Sequence, residues 1–403
     1  MNDINRASFD RYMMPNYAPV GVIPVTGQGS RLFDQANREY IDFAGGIAVN
    51  ALGHAHPKLV AALTDQASKL WHVSNILANE PALALAKMLT EVTFADKVFF
   101  SNSGGEANEA ALKLARRYAH DTYGKHKDEI IAFSGGFHGR TLFTVSVGGQ
   151  SDYSSGFGPL PQSITHLPFN DIEALEQAIS KKTCAVIVEP IQGESGVVDA
   201  DHQFLAAIRK LCNTNQALMI LDEVQTGVGR TGHLYAYQRY EITPDILTTA
   251  KALGGGFPIA ATLTTSEIAK VLVVGSHGST FGGNPLACAV ALAALNLINT
   301  PSVLNGVNKR RELICAGLER IANKTGCAIG VRGQGLLIGW VLRPDWHGRA
   351  REIMHAAQSS GVLVLVASPN VVRLAPSLVI PTGDIEEGLG RLEQGMMALA
   401  EGS

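Results

Sequence analysis

Short apolar segments alternate with helical segments through the middle of the chain, and this alternation constrains the fold most. The apolar segments read KVFF (97–100), EIIAF (129–133), CAVIVEP (184–190), ALMILDE (217–223), DILTTA (245–250) and AATLTT (260–265). Segments such as EANEAALKLARRYAH and DHQFLAAIRKLCN, which lie between them, carry apolar residues at helical spacing. Strands that alternate with helices are typical of parallel βαβ units, so the pattern predicts an α/β fold with a doubly wound sheet. Such sheets place their chemistry at the carboxyl ends of the strands.

The two ends of the chain show a different pattern. Residues 22–43 carry the alternation and turn signals of short hairpin strands. After about residue 295 comes a long helical segment, VLNGVNKRRELICAGLERIANK, and then the strand-like segments GLLIGWVL, VLVLVA and VVRLAP. We therefore expect a large domain at 50–295 and a smaller domain built from 1–49 and 296–403.

Composition excludes several classes of protein. The chain has 403 residues, of which 46% are hydrophobic, so it can bury a large core. The net charge is -3 and basic residues are scattered, which argues against nucleic-acid or membrane partners. Five cysteines without paired spacing, and an N-terminus without a secretory pattern, indicate reduced thiols in a cytoplasmic protein. The segment HAHP lacks a third ligand at suitable spacing, so no metal site is predicted and a structural turn is favoured.

The segment SNSGGEANEAALKLAR follows the apolar strand KVFF. Ser103 and Glu106 have the spacing of a capping box, which opens a helix at Gly104 and Gly105. Two glycines at that position let backbone N–H groups reach an anion, and the positive end of the helix favours a phosphate. Ordinary helix capping explains the same residues, and neighbouring motifs must decide between the two interpretations.

An acid and a lysine follow two of the predicted strands. Asp222 ends the strand of ALMILDE, and Lys251 lies in the small-residue segment TTAKALGGG. An aspartate is what a pyridine-ring cofactor needs beside its ring nitrogen, and a lysine amine can join such a cofactor as a Schiff base. Taken alone, Lys251 is more typical of a lysine at a helix end before glycines. With Asp222 and the SGGE cap it indicates a pyridoxal 5'-phosphate site.

Two further glycine-containing segments require interpretation. In SGGFHGRT (134–141), Phe137 is suited to stack on a cofactor ring and Arg140 to hold a carboxylate. The segment GVGRTG (227–232) fits a dinucleotide-binding pattern, and a nucleotide-binding oxidoreductase is the alternative from another class. However, DEVQT separates it from its strand, and HLYAYQRY is not the small-residue helix that the pattern requires, so we interpret the match as chance.

In this order, these segments resemble the class III (ornithine-type) aminotransferases, which are pyridoxal-phosphate enzymes of fold type I. The resemblance covers nearly the whole chain and is closest to acetylornithine and succinylornithine aminotransferases. It rests on IDFAGGIAVNALGHAHP, FHGRTLFTVSVGGQ, CAVIVEPIQGE, DEVQTGVGRTG, TTAKALGGGFP and STFGGNPLA. It implies a large domain with a mostly parallel seven-stranded sheet flanked by helices, plus a smaller α+β domain from both termini.

The resemblance also implies roles toward the cofactor. Lys251 would carry the cofactor and later move a proton, Asp222 would pair with the ring nitrogen, and Glu189 would be an acid near the ring. The other implied cofactor residues are Gln225 at the phenolic oxygen, Val224 and Phe137 on the two ring faces, and Ser103, Gly104 and Gly105 at the phosphate. Thr280 of the partner subunit would complete the phosphate site, which implies a homodimer with active sites at the interface.

For substrates, the resemblance implies two arginines with different tasks. Arg140 would bind the carboxylate of an acylornithine, with Ser279 and Tyr17 nearby. Arg373 would bind the α-carboxylate of glutamate or 2-oxoglutarate, and Glu194 would neutralise it while the ω-amine substrate is bound. The chain departs from the family at Gly105, where alanine or threonine is usual, and at Ser195, where glycine is usual. Neither departure removes a functional group, so we expect activity to survive.

The predicted reaction transfers the 5-amino group of an N2-acylornithine, with an acetyl or succinyl group, to 2-oxoglutarate in two half-reactions. Both acyl groups are attached at the same position of ornithine, so the motifs do not distinguish the two donors. They therefore do not show whether the reaction belongs to the synthesis or the breakdown of arginine. One alternative is another ω-amine donor, such as ornithine, GABA or a diamine. A scaffold without activity is a weaker alternative, because every group that the chemistry needs is present.

Overall fold

Seventeen strands and fourteen helices are found in the described part of the chain, residues 4–401 of a computed structural model. The strands are β1 (Pro24–Gln28), β2 (Arg31–Asp34), β3 (Glu39–Asp42), β4 (Lys97–Ser101), β5 (Glu129–Phe133), β6 (Ile164–Leu167), β7 (Thr183–Val188), β8 (Ile191–Gln192), β9 (Val198–Asp199), β10 (Leu218–Asp222), β11 (Ile246–Thr249), β12 (Ala260–Thr264), β13 (Ala328–Arg332), β14 (Ile338–Leu342), β15 (Val362–Leu363), β16 (Leu365–Ser368) and β17 (Val371–Leu374). The helices are α1 (Arg6–Tyr12), α2 (Gly45–Ala48), α3 (Pro57–Ala67), α4 (Glu80–Val92), α5 (Gly104–Tyr123), α6 (Leu142–Val147), α7 (Ile172–Ala178), α8 (His202–Asn215), α9 (Tyr237–Tyr240), α10 (Ser266–Ala269), α11 (Pro285–Ile298), α12 (Pro301–Thr325), α13 (Ala350–Ser359) and α14 (Thr382–Glu401).

Seven of these strands form the largest sheet, in the order β4-β12-β11-β10-β7-β5-β6. Pairing is parallel from β11 through β10, β7 and β5 to β6, whereas β12 runs antiparallel to both of its neighbours. The predicted α/β fold with a mostly parallel seven-stranded sheet is therefore confirmed. All six apolar segments become strands of this sheet. The sequence reasoning missed β6, because ITHL is short and two of its four residues are exposed.

The centre of this sheet is covered on both faces. Every residue of β7, β10 and β11 is buried, which explains why these strands read as continuous apolar segments rather than alternating ones. Helix α5 contacts β11, β12 and β7, while α8 packs against β10 and β7. These helices hold the carboxyl ends of the strands in fixed positions, and chemistry-bearing residues follow directly at those ends.

Two smaller sheets are built from the ends of the chain. One has the order β1-β2-β3-β15, in which β15 pairs in parallel with β3, and the other has the order β13-β14-β17-β16. The predicted strand VLVLVA is divided between β15 and β16, which belong to different sheets. The pairing of β3 with β15 brings the two ends together, while the predicted boundaries at 49/50 and 295/296 stay a prediction.

No single helix within residues 4–401 is long and apolar enough to cross a membrane. The pair α11 and α12 passes the test of length and composition together, with a bend of 70° between the two helices. The same range also holds no group of three or more His, Cys, Asp or Glu side chains that could bind a metal ion.

Candidate active site

A cavity of about 330 Å³ lies at the carboxyl ends of β4, β10 and β11. Ser103 follows β4 by two residues, Asp222 ends β10, and Lys251 follows β11 by two residues, so parallel strands bring these side chains together. Nine of the predicted site residues line the cavity, namely Ser103, Gly104, Gly105, Phe137, Glu189, Asp222, Val224, Gln225 and Lys251.

Lys251 begins a short 3-10 turn and has a positive φ of 44°, a conformation that is uncommon for a residue with a side chain. Its amine makes no hydrogen bond or ion pair within residues 4–401 and faces the cavity. Burial lowers the pKa of this amine to about 8, and the charge of Arg373 acts in the same direction. The amine is thus partly neutral near physiological pH, which is the form that attacks a carbonyl.

This lowered pKa predicts how fast Lys251 reacts with pyridoxal phosphate added to the apoprotein. Because only the neutral amine reacts, the rate should rise about tenfold per pH unit below pH 8 and level off above it. Absorbance after rapid mixing, followed by borohydride reduction and peptide mapping, measures the rate and the position of attachment. A rate that keeps rising through pH 10 would show an ordinary lysine.

Asp222 is the centre of a buried hydrogen-bond network and is 3% exposed. Its Oδ2 atom accepts hydrogen bonds from Asn108 Nδ2 at 2.7 Å and from His138 Nδ1 at 2.8 Å, and its Oδ1 atom accepts one from the Val224 N–H at 3.0 Å. Thr248 Oγ1 in turn donates to Asn108 Oδ1 at 2.7 Å. The carboxylate is therefore held at a fixed orientation at the wall of the cavity.

His138 and Asn108 were missed by the sequence reasoning. Burial lowers the pKa of His138, but the hydrogen bond and charge of Asp222, together with the charge of Glu189, outweigh this effect and raise the pKa overall. The raised pKa favours the cationic form of His138 beside the Asp222 side chain. Two features of the sequence could have identified these residues. His138 lies in the FHGR segment beside Phe137, and Asn108 lies one helical turn after Gly104, on the same face of the helix.

Glu189 lies directly after β7 and is 6% exposed. Its Oε1 atom accepts a hydrogen bond from the Phe137 N–H at 2.9 Å, which ties the Phe137 segment to the end of β7. Burial raises the pKa of Glu189 to about 8, and the neighbouring charge of Asp222 adds to the increase. Glu189 thus takes up a proton more readily than an ordinary glutamate, and it supports the position of Phe137.

The opposite end of the cavity is suited to an anion. Ser103 caps α5 in the predicted capping box, because its Oγ atom accepts from the Glu106 N–H at 3.2 Å while Glu106 accepts from the Ser103 N–H at 2.9 Å. Gly104 and Gly105, the first two residues of this 20-residue helix, line the cavity at the positive end of the helix dipole. A Cβ atom at Gly104 would lie 2.7 Å from Val224 Cγ1, so this glycine keeps the approach open.

Gly105, one of the two departures from the family pattern, has more room. A Cβ atom there would meet its nearest neighbour, the Gly139 Cα atom, at 3.7 Å, which is ordinary van der Waals contact. An alanine would therefore fit, and the glycine loosens the start of the helix without opening space that the site requires. Ser195, the other departure, donates a hydrogen bond from its Oγ atom to the Gly135 carbonyl.

Arg373 and Glu194 form a bidentate ion pair beside the cavity. Arg373 is 2% exposed, and its two terminal nitrogens lie 2.6 Å and 3.3 Å from the two carboxylate oxygens of Glu194. Gln225, which lines the cavity, accepts from Arg373 at 3.2 Å and donates to Glu194 at 3.4 Å. Burial raises the pKa of Glu194, but the charge and hydrogen bond of Arg373 outweigh burial and lower it overall.

Arg140 lies on the surface near the mouth of the cavity. Its guanidinium carbon lies 3.8 Å from the centre of the Tyr153 ring, and Tyr153 contacts Phe137 edge-to-face at 5.9 Å between ring centres. Within residues 4–401 Arg140 forms no ion pair, so its charge is available to a ligand.

Six predicted residues do not line the cavity; Arg140, Glu194 and Arg373 lie beside it, and the other three lie farther from it in their own chain. Ser279 does not line the cavity itself, but its Oγ atom accepts a hydrogen bond at 3.2 Å from Nδ2 of Asn102, which does line it. Thr280 is exposed in the following loop, and Tyr17 is 72% exposed near the N-terminus. The prediction for Thr280 concerned the neighbouring subunit, and its place outside the cavity is compatible with that prediction.

The GVGRTG segment has no feature of a dinucleotide site. It forms consecutive turns, and the next helix, α9, begins only at Tyr237. Arg230 is completely buried and donates hydrogen bonds to the carbonyls of Leu336 and Pro376 at 3.0 Å and 2.6 Å. The segment therefore ties the loop after β10 to the strands of the C-terminal part.

Comparison with known proteins agrees with this geometry. Among curated relatives, acetylornithine aminotransferase of Shewanella oneidensis is 63% identical over 397 residues, which cover 98% of each chain. A Pseudomonas aeruginosa protein named succinylornithine transaminase/acetylornithine aminotransferase is 60% identical, covering 99% of this chain and 98% of its own. The crystal structure of N-acetylornithine aminotransferase from Stenotrophomonas maltophilia superimposes with a TM-score of 0.87 at 40% identity, covering 98% of this chain and 100% of its own. The model of the family "Aminotransferase class-III" matches residues 12–396, and the chain belongs to this family.

Proposed function

We propose that the chain transfers the 5-amino group of an N2-acylornithine to 2-oxoglutarate, with pyridoxal 5'-phosphate as cofactor. The observation that carries this proposal is the Arg373–Glu194 pair beside the lysine amine, because one pocket must accept two different ligands in turn. The first presents a distal amine without a carboxylate, and the second presents a carboxylate next to its reacting carbon. The names of the relatives, which include both acetylornithine and succinylornithine, support the same substrate class.

The residues of the cavity fit the cofactor. The start of α5 is suited to its phosphate, the fixed carboxylate of Asp222 to its ring nitrogen, and the unpaired amine of Lys251 to its aldehyde. When bound, pyridoxal phosphate supplies an electron sink that makes the proton on the amine-bearing carbon acidic. The rest of the reaction is positioning and proton transfer by the chain.

We assign the roles of the cavity residues from their contacts. Asp222, oriented by Asn108 and His138, holds a proton on the ring nitrogen of the cofactor. Lys251 takes the proton from the amine-bearing carbon and returns it, because its lowered pKa lets the amine serve as a base near neutral pH. Phe137 and Val224, which line the cavity, would cover the two faces of the ring, and Gln225 would hold the phenolic oxygen.

The two half-reactions require two states of the Arg373–Glu194 pair. While the acylornithine is bound, Glu194 stays on Arg373 and Arg140 binds the carboxylate at the far end of the substrate. When 2-oxoglutarate enters, its 1-carboxylate replaces Glu194 on Arg373. Glu194 is partly exposed at 23% of its side chain, whereas Arg373 is almost completely buried, so the carboxylate is the partner that can move.

We further propose that the active unit is a homodimer in the cytoplasm. Apolar side chains are exposed on the segments next to Ser279 and Thr280, including Trp71 at 67%, Ile76 at 92% and Phe281 at 58%. A second copy that covers them would place Thr280 at the phosphate of the neighbouring site, and a sedimenting mass of twice that of the chain tests this. The five cysteines are free, which agrees with a reducing compartment.

One coupled assay for glutamate tests the substrate class. N2-acetylornithine, N2-succinylornithine, ornithine and GABA are offered as donors with 2-oxoglutarate as acceptor. We expect at least one acylornithine to exceed ornithine and GABA by about 10²-fold in kcat/KM, since Arg140 and its neighbours select the far end of the donor. A higher kcat/KM for unacylated ornithine or for GABA would contradict the proposal.

A further inference from the structure

A second cavity, of about 690 Å³, lies beside the active site and is called the outer cavity here. It is lined by Gln150, Tyr153, Glu194, Ser195, Arg351 and Ser368, among others. Two of these residues connect it to the reaction cavity, since Glu194 pairs with Arg373 and Tyr153 packs against Phe137 and Arg140. A donor whose amine reaches Lys251 and whose carboxylate binds Arg140 would have its acyl group on the side of Tyr153, which lines the outer cavity.

Arg351 carries the uncompensated charge of the outer cavity. It lies in the first turn of α13 and forms no hydrogen bond or ion pair with the described part of the chain. The nearest acid on its helix, Glu352, is already bound by Arg349 at 2.8 Å. The other charged residue of the lining, Glu194, is bound by Arg373 at 2.6 Å. Arg351 is exposed to solvent, so its guanidinium is free to bind an anionic group of a ligand in the outer cavity.

Gln150 gives a second, independent indication of a ligand. Its Nε2 atom is buried and has no hydrogen-bond acceptor within residues 4–401. A buried donor without a partner costs free energy, and the carbonyl oxygen of an acyl amide is an acceptor of the right kind. The Gln150 side chain lines the outer cavity, so a rotation of its amide would present this donor to a ligand that also meets the guanidinium of Arg351.

We propose that Arg351 binds a terminal carboxylate on the acyl group of the donor, so that the outer cavity selects dicarboxylic acyl groups such as succinyl over acetyl. The inference rests on the proposed function, because it takes the donor to be an N2-acylornithine. An acetyl group ends in a methyl and leaves Arg351 without a partner, whereas a succinyl group ends in the carboxylate that a guanidinium binds.

The test compares the wild-type holoenzyme with Arg351→Gln and with the matched control Arg349→Gln. Both variants remove one positive charge from the start of α13, but Arg349 faces Glu352 and the Trp346 ring instead of the cavity. In Arg351→Gln we expect the ratio of kcat/KM for N2-succinylornithine to that for N2-acetylornithine to fall about tenfold. In Arg349→Gln the ratio should stay at the wild-type value.

Calorimetry with unreactive analogues gives a readout apart from turnover. N2-succinyl-L-norvaline and N2-acetyl-L-norvaline lack the 5-amine, and Arg351→Gln should raise the Kd of the succinyl analogue about tenfold more than that of the acetyl analogue. An unchanged ratio, or an equal loss for both analogues, would overturn the role of Arg351 and leave the proposed function intact. Wild-type enzyme that accepts neither acylornithine but accepts ornithine would instead overturn the proposed function.

Discussion

Replacement of Lys251 by alanine is expected to lower kcat by about 10⁴-fold while the protein still folds and takes up pyridoxal phosphate. In the proposed function this amine both joins the cofactor and moves the proton, and no other lysine among residues 4–401 lines the cavity. The phosphate site at α5 and the Asp222 network remain in the variant, so non-covalent binding should persist. Single-turnover absorbance measures the loss, and borohydride reduction should no longer fix the cofactor to the chain.

Lys127→Ala is the matched control for this experiment. Lys127 is also buried, at 3% exposure, and burial also lowers its pKa, but its amine donates to the carbonyls of Lys181 and Asn215 away from the cavity. Its loss should lower the free energy of unfolding and leave kcat near the wild-type value. If Lys251→Ala keeps kcat within tenfold of wild type, or if Lys127→Ala loses as much, Lys251 does not have the proposed role.

The sequence predicted best those features that local physical chemistry determines. Strands such as β7 and β10 are buried on both faces, so their continuous apolar segments identify them directly. The Ser103–Glu106 capping box depends on residues three positions apart, and the structure forms it as predicted. The alignment of Asp222 and Lys251 at one edge of the sheet follows from parallel strands, which place their carboxyl ends side by side.

Features that depend on tertiary contacts were beyond the reach of the sequence. The antiparallel direction of β12 is set by pairing with β11 and β4, since its apolar residues fit either direction. Glu223 resembles a solvated neighbour of Asp222 in the sequence, yet it is completely buried and accepts from the backbone N–H groups of Ala236 and Tyr237 at 2.6 Å and 2.8 Å. Arg351 was not singled out, because the outer cavity arises from segments far apart in the chain.

The second large effect is expected at Arg373, and it should separate the two half-reactions. In the proposed function, Arg373→Gln removes the guanidinium that binds the 1-carboxylate of 2-oxoglutarate, so the acceptor half-reaction should slow by about 10²-fold to 10³-fold. The donor half-reaction should slow by less than about tenfold, because there Glu194 covers Arg373 and the substrate does not contact it. Each half-reaction is measured alone by mixing one form of the holoenzyme with a single substrate.

Glu194→Gln should have the opposite effect on the two half-reactions: it should weaken the donor half-reaction and favour the binding of the acceptor. The variant leaves Arg373 buried without a counter-ion, so a carboxylate ligand gains affinity while a donor that brings an amine toward the pair loses it. Arg332→Gln serves as the control, because Arg332 donates to the Gly196 carbonyl at 2.7 Å and does not line the cavity. If Arg373→Gln and Glu194→Gln each slow both half-reactions equally, the ion pair has only a structural role. Opposite shifts require a carboxylate that leaves the arginine in one half-reaction and returns to it in the other.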